Sequence, residues 1–264
     1  DGVEGDYNNY VGYKSKEVIS AFPNEKLNWI IQKNQLGTGD AVKYVIPHLK
    51  GSQTIVLYGD VPMLQLEDLE QLIKKTQKKL GILTFNKSNP TGYGRIKRIK
   101  NNIECIVEEK DCDDTERKIT EINTGIICVN TNNLINWLSM ISNNNSQKEY
   151  YLTDIVALAR KEKIQISSQE ANSEITITGV NSKIELAIME RALQNKKTNL
   201  LMERGVTLLD PSRTDIRGDL KCAMDVEIDV GCIFEGKVQV GNNVKIGAYT
   251  HIKDSVISDN TIIK

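Results

Sequence analysis

The chain has 264 residues, 39% of them hydrophobic and 26% charged, enough for one large domain or one plus a smaller neighbour with a full apolar core. Lys and Arg number 34 against 35 Asp and Glu, and the net charge of −1 is spread without long runs of one sign. That balance excludes a protein whose main task is coating nucleic acid or an anionic membrane, and no stretch approaches the ~20 apolar residues of a membrane span.

From the N-terminus, Asp1-Gly2-Val3 stands where a Met is expected, which points to processing or to a piece of something longer. Leu27–Gln32 (LNWIIQ) reads as a short strand, and Leu36–Gly39 (LGTG) breaks it. Ala41, Tyr44, Val45 and His48 then recur at helical spacing. Two glycines and a threonine before a helix let backbone N–H groups approach a base or phosphate, or make an ordinary strand-to-helix turn.

Gln53–Asp60 (QTIVLYGD) is a continuous β-branched and apolar run, the pattern of a central parallel strand buried on both faces. Asp60 ends it, where it either holds a divalent cation against phosphates or caps the turn. Leu66, Leu69, Leu72 and Ile73 mark an amphipathic helix whose Lys74–Lys79 run reads as a solvated face. Gly81–Asn86 is the next strand, and the alternation implies an α/β domain with a mostly parallel sheet.

Pro90–Ile96 (PTGYGRI) is a turn cluster feeding a strand, Ile103–Asp111 a further strand, and Ile122–Asn130 a buried strand interrupted by Gly125. Trp137 falls in a short helix, and Thr153 is placed to N-cap the helix holding Ile155, Leu158 and Ala159. Glu108, Asn123 and Asn181 are a carboxylate and two amides near strand ends or glycines. They suit sugar hydroxyls, with Asn181 also a neutral oxygen ligand, or serve structure alone. Ser182–Arg204 is a long helical stretch without a wide apolar face, which suits an exposed connector.

After Asp225 the period changes to six. Val226, Cys232, Val238, Val244, Thr250, Val256 and Ile262 form one series, and Ile228, Phe234, Val240, Ile246 and Ile252 a second. Such a register favours a hexapeptide β-helix, whose coils share one core, over a plain antiparallel sheet with period-two alternation, which does not explain a sustained sixfold repeat. The repeats are still running at Lys264, so a cut is expected at this end too.

Five cysteines without a CxxC, and only His48 and His251, argue for free thiols in a reducing cytoplasm and against zinc or histidine chemistry. Cys232 reads as repeat filler and His251 as an exposed rung residue. Catalysis would rest on carboxylates, amides, backbone donors and a metal.

Taken in order, QLGTGDA, LYGDVP, PTGYGRI, VEEKD, EINTGI, EYYLTDI and GVN, then a helical arm and hexapeptide repeats, resemble one family. It is the bacterial bifunctional N-acetylglucosamine-1-phosphate uridyltransferase/glucosamine-1-phosphate acetyltransferase. The resemblance implies a Rossmann-like nucleotidyltransferase domain over residues 1–181, a helical linker over 182–204, and the first coils of a left-handed, trimerising β-helix over 205–264. The implied substrates are UTP and N-acetylglucosamine 1-phosphate, the cofactor is Mg²⁺, and the intact protein would use acetyl-CoA as well. Gln32, Gly37 and Thr38 match uridine-contacting positions; Tyr58, Gly59 and Asp60 match the strand-end motif; Gly94, Glu108 and Asn123 match positions holding the sugar. Asp60 and Asn181 match the metal ligands, and Asn181 also contacts the nucleotide sugar. Two departures stand out: no glycine-rich phosphate loop precedes Leu27, and acetyltransferase residues would lie beyond Lys264, with His251 no match for the catalytic histidine. The stretch alone is therefore expected to be impaired in uridyl transfer and to lack acetyl transfer. Another sugar-1-phosphate nucleotidyltransferase, or a non-catalytic relative of the same architecture, are the competing expectations.

Overall fold

A computed structural model describes residues 8–23, 27–76 and 79–264. Asp1-Gly2-Val3, and Gln77 and Lys78 of the lysine-rich run, lie outside the described residues. The chain divides into two compact units, Asp1–Thr178 and Gly179–Lys264.

The first unit opens with β1 (Asn8–Val11), α1 (Ser15–Ala21) and β2 (Asn28–Ile31), where β1 and β2 pair in parallel as a small sheet of their own. Next come α2 (Thr38–Val45), β3 (Gln53–Val56), α3 (Leu66–Thr76), β4 (Leu80–Asn86), β5 (Arg95–Ile99) and β6 (Asn102–Val107). The unit closes with β7 (Glu121–Asn130), α4 (Thr131–Met140), α5 (Asp154–Lys161), β8 (Ile166–Glu170) and α6 (Glu174–Ile177).

Six strands form the main sheet in the order β6-β5-β7-β4-β8, with β3 alongside the C-terminal half of β7. Side chains alternate across β7, so Ile127 and Val129 face one layer and Ile126 and Cys128 the other. The first layer is completed by Val42 of α2, Leu134, Trp137 and Leu138 of α4, and Ile155, Val156 and Ala159 of α5. The second gathers Leu72 of α3 with Leu83, Ile122 and Ile177. Helices therefore cover both faces, as the strand–helix alternation implies.

Two expectations about this sheet are corrected. It is mixed: β7 runs antiparallel to β3, β4 and β5, and only the β4–β8 ladder is parallel. The run from Gln53 is not a buried central strand either. Its strand ends at Val56, all four residues are half-buried, and β7 is its sole partner among the described residues. Leu57, Tyr58, Gly59 and Asp60 leave the sheet and are exposed. The strand expected over Ile103–Asp111 similarly stops at Val107, and a 3-10 turn takes Glu109–Asp111.

The second unit begins with α7 (Lys183–Glu203), whose N-cap Ser182 accepts the Glu185 N–H at 3.1 Å. It is not exposed all round. Met189, Gln194, Thr198 and Leu201 are buried, and the Gln194 amide accepts from the Ile216 N–H at 2.7 Å and donates to the Ile216 carbonyl at 3.2 Å. A polar side chain thus does the docking, which a search for apolar stripes does not register.

Short strands follow: β9 (Thr207–Leu208), β10 (Asp215–Cys222), β11 (Glu227–Ile228), β12 (Ile233–Val240), β13 (Lys245–Ile246), β14 (His251–Lys253), β15 (Val256–Ile257) and β16 (Ile262–Ile263). They stack in parallel, pairing Asp215 with Ile233, Glu227 with Lys245 and Ile233 with His251, a repeat of three hexapeptides. Val226, Cys232, Val238, Val244, Ile228, Phe234, Val240, Ile246 and Ile252 fill the shared core, as the sixfold register requires. His251 is exposed beside Glu235 at 3.2 Å.

The register slips once. Gln239 pairs with Val256 and Lys245 with Ile262, one residue short of the earlier spacing. Ile257 and Ile263 pack against the core in consequence, while Val256 and Ile262 are 76% and 64% exposed. These two do not continue the first buried series, contrary to the sequence expectation.

Candidate functional site

Gly94, Glu108, Asn123 and Tyr58 come together at one end of the main sheet. The Asn123 N–H donates to the Gly94 carbonyl at 2.8 Å, joining β7 to the turn before β5. A Cβ on Gly94 would lie 3.3 Å from Glu108 Oε2, so the absent side chain leaves that oxygen room. Asn123 Oδ1 accepts the Gly125 N–H at 3.1 Å, which leaves its amide N–H₂ to donate elsewhere. The Tyr58 ring rests on Gly125, which sits at φ +83° with no space for a Cβ.

Glu108 follows β6, and its Oε1 accepts the Thr153 hydroxyl at 2.7 Å. Burial pushes the Glu108 carboxyl above its ordinary range, the Thr153 bond pulls it part of the way back, and the Asp111 charge adds an upward push. Burial, then the Glu108 and Asp60 charges, raise Tyr58 to about 12. Asp154 is raised by burial, then by Glu108 and Asp111. Thr153 stands at the N-cap of α5, but its side chain makes no cap bond; the hydroxyl goes to Glu108 instead. That corrects the capping expectation: Thr153 sits at φ −61° and ψ −20°, helical backbone rather than the extended N-cap conformation that aims a hydroxyl at the first-turn N–H groups.

The adjacent carboxylate faces away from this cluster. Glu109 Oε2 lies 2.7 Å from Arg95 Nη2 and accepts the Gly92 N–H at 3.2 Å, while Arg95, 2% exposed, also donates to the Tyr93 carbonyl. This pair fastens the Pro90–Gly94 turn over the sheet.

Gln32, Gly37 and Thr38 lie on the β2–α2 connection. Tyr150 N–H donates to the Leu36 carbonyl at 2.8 Å, Gly39 N–H to the Tyr150 carbonyl at 2.7 Å, and Leu152 N–H to the Thr38 hydroxyl at 3.1 Å. Gly37 sits at φ +109°, where a Cβ would lie 2.6 Å from the Tyr150 carbonyl oxygen. The loop's glycines are therefore required by packing on Tyr150, and the Gly39 N–H is already committed. Gln32 Nε2 donates to Asp40 Oδ2 at 3.0 Å.

Gly59 has no neighbour near its Cβ position, and Asp60 carries no hydrogen bond or ion pair among the described residues. No group of three or more His, Cys, Asp or Glu suited to a metal occurs among the described residues. Asn181 belongs to the second unit, where its N–H donates to Glu185 at 2.7 Å. Sequence reasoning missed Thr153 as the partner of Glu108 and the backing role of Tyr150 and Leu152, although the EYYLTDI motif contains all three.

The α/β architecture is a Rossmann-like fold that solved structures share. HddC from Yersinia pseudotuberculosis complexed with GMP-PN superposes with a TM-score of 0.50 at 16% identity, over 70% of this chain and 77% of that one. A Bacillus anthracis protein provisionally assigned as a glucose-1-phosphate thymidylyltransferase, in complex with a sucrose, gives 0.50 at 15% identity, over 66% and 70%.

By sequence the chain is similar, over 96% of its length, to proteins named bifunctional GlmU. It is 46% identical over 256 residues to that of Nitrosospira multiformis, covering 96% of this chain and 56% of the relative. The Marinomonas sp. protein is 44% identical over 257 residues, covering 96% and 57%. The chain thus spans little more than half the length of these relatives. No protein-family model matches it. Among the described residues no helix is long and apolar enough to cross a membrane.

Proposed function

We propose that the first unit catalyses uridylyl transfer from UTP to N-acetylglucosamine 1-phosphate, giving UDP-N-acetylglucosamine and pyrophosphate. The convergence of Gly94, Glu108, Asn123 and Tyr58, in a chain matching GlmU relatives over 96% of its length, supports this reading. A sugar-phosphate oxygen attacks the α-phosphorus of UTP. The bond from that phosphorus to the bridging oxygen breaks, and pyrophosphate leaves with the electron pair. Such a displacement depends on in-line positioning and charge neutralisation more than on a side-chain nucleophile.

Gln32, Gly37 and Thr38 hold the base. Glu108 accepts from a sugar hydroxyl through Oε2, the free Asn123 amide donates, and Gly94 admits the ring closely. Tyr58 and Gly59 line the strand end. Asp60 is the proposed Mg²⁺ ligand, and its unpartnered, exposed carboxylate fits a hard cation that keeps waters and phosphate oxygens as its other ligands. When bound, the ion offsets the negative charge gathered on the phosphates. Asn181, the second ligand, is carried here on the family resemblance alone. We read the stacked coils as the start of a left-handed parallel β-helix through which copies trimerise in the cytoplasm. Acetyl transfer from acetyl-CoA, which the family resemblance implies for the intact protein, is assigned to none of the described residues.

Pyrophosphate release is measured with N-acetylglucosamine 1-phosphate, Mg²⁺ and each of UTP, GTP, ATP and dTTP. Release with UTP alone supports the proposal, and release with another nucleotide replaces it by that specificity. The absence of both pyrophosphate release and a thermal shift with UDP-N-acetylglucosamine would sink it.

A further inference from the structure

Gln32 carries an amide whose two ends differ in chemistry, and its neighbour decides which end is left free. The Asp40 carboxylate, at the start of α2, accepts from Gln32 Nε2 at 3.0 Å. A carboxylate has no proton to donate, so a flipped amide would set carbonyl oxygen against carboxylate oxygen. The orientation is therefore fixed by chemistry. Gln32 Oε1 is left as the free acceptor of the amide, with no hydrogen bond to it among the described residues. Gly12 flanks it: a Cβ there would come within 3.3 Å of Oε1 and 3.4 Å of Gln35 Nε2, so glycine keeps the approach open.

Asp40 itself is held. The Gly39 N–H is bonded to the Tyr150 carbonyl and the Thr38 hydroxyl accepts from Leu152, which anchors the first turn of α2 on both sides of the loop. The Tyr10 phenol also faces Asp40 from β1; burial first, then the Asp40 charge, push its ionisation up, so it stays neutral.

We infer that Asp40 is the specificity-determining residue of the base subsite: by pinning the Gln32 amide it presents a carbonyl acceptor that selects a base with a ring N–H. This rests on the proposed reading of Gln32 as a base contact. Uracil and thymine carry a donor N3–H and satisfy that acceptor. Cytosine places a lone pair at the same position and opposes it, and a site built for one hydrogen bond rejects the analogue that cannot make it. Asp40 acts through Gln32 and is a positioning residue.

The full chain is titrated with UDP, dTDP and CDP, following saturation-transfer NMR and calorimetry, for the wild type, Asp40→Asn and Asp40→Leu. The wild type is expected to bind UDP and dTDP about tenfold or more tightly than CDP. In Asp40→Asn the neighbouring amide can donate or accept, Gln32 is free to turn, and the UDP/CDP ratio falls to within about threefold, mainly by a gain for CDP. Asp40→Leu removes the partner altogether and should narrow the ratio as well. An unchanged ratio in both variants, or an equal weakening of all three nucleotides, overturns the role of Asp40 while leaving the base site standing. A wild type that binds UDP no better than CDP, or binds neither, removes the base-site reading and this inference with it.

Discussion

Replacing Thr153 by valine probes the candidate sugar pocket with almost no change of shape. Thr153 is 5% exposed, and its one side-chain bond is the 2.7 Å donation to Glu108 Oε1. A hydrogen bond to a charged group is worth about 1.5–3 kcal/mol net, and the partial solvent contact of Glu108 places this one toward the lower end. Losing the donor should therefore push the Glu108 carboxyl further above its ordinary range.

The sign follows from linkage. Glu108 has a folded-state pKa above its unfolded value, so its contribution to stability is complete below the unfolded value and is lost as pH rises through the folded one. Valine enlarges that loss, and the gap between variant and wild type should widen from acid to neutral pH. Carbon-detected titration of labelled glutamate side chains reads the Glu108 pKa directly, and Thr153→Ser, which keeps the hydroxyl, should restore most of it. A Glu108 titration curve unmoved by Thr153→Val would refute the reasoning, as would a serine variant no closer to wild type than valine.

Asp68 is fully buried with Oδ2 unpartnered and Oδ1 accepting from Asn172 at 2.6 Å, and burial pushes its carboxyl up. Asp68→Asn should therefore gain on the wild type as pH rises through the raised value, and urea denaturation at several pH values should show that trend. Gly125→Ala combines a positive φ with displacement of the Tyr58 ring, whereas Gly92→Ala, at φ +88° with nothing near its Cβ position, carries the backbone term alone. We expect about 1–2 kcal/mol for Gly92→Ala, a larger loss for Gly125→Ala, and weaker UDP-N-acetylglucosamine binding in the latter as followed by calorimetry. In the coils, Ile257→Ala should cost about 1–2 kcal/mol and Val256→Ala less than about 0.5 kcal/mol by chemical denaturation; equal effects would contradict the register slip.

The coarse architecture is legible because periodicity reports burial. The β7 run, the amphipathic α3 and the sixfold register as far as Ile252 place their apolar residues where the core is. What sequence could not supply are pairings between distant segments. The Gln53 run looks central by composition, yet strand order depends on β7 returning between β3 and β4. The loss of one residue after Ile252 moves Ile257 inward, and only the neighbouring coil shows that the phase has changed. Thr153 reads as a cap because capping is local, whereas its acceptor lies on β6's far end, remote in sequence.

The same long-range pairing ties together two motifs that are far apart in sequence. Leu36–Gly39 and Glu108 share no strand or helix, but both are fastened to the segment Tyr150–Thr153. Tyr150 takes the loop through its N–H and carbonyl, Leu152 holds the Thr38 hydroxyl, and the Thr153 hydroxyl holds the carboxylate. Tyr151, Leu152 and Thr153 cannot shift independently, since their carbonyls accept in turn from the Asp154, Ile155 and Val156 N–H groups at the start of α5. A displacement of the loop is thereby passed to Glu108 as a change in the Thr153 donation. Affinity for the base and affinity for the sugar should consequently fail together when this segment is loosened, and separately when Asp40 or Gly94 is altered.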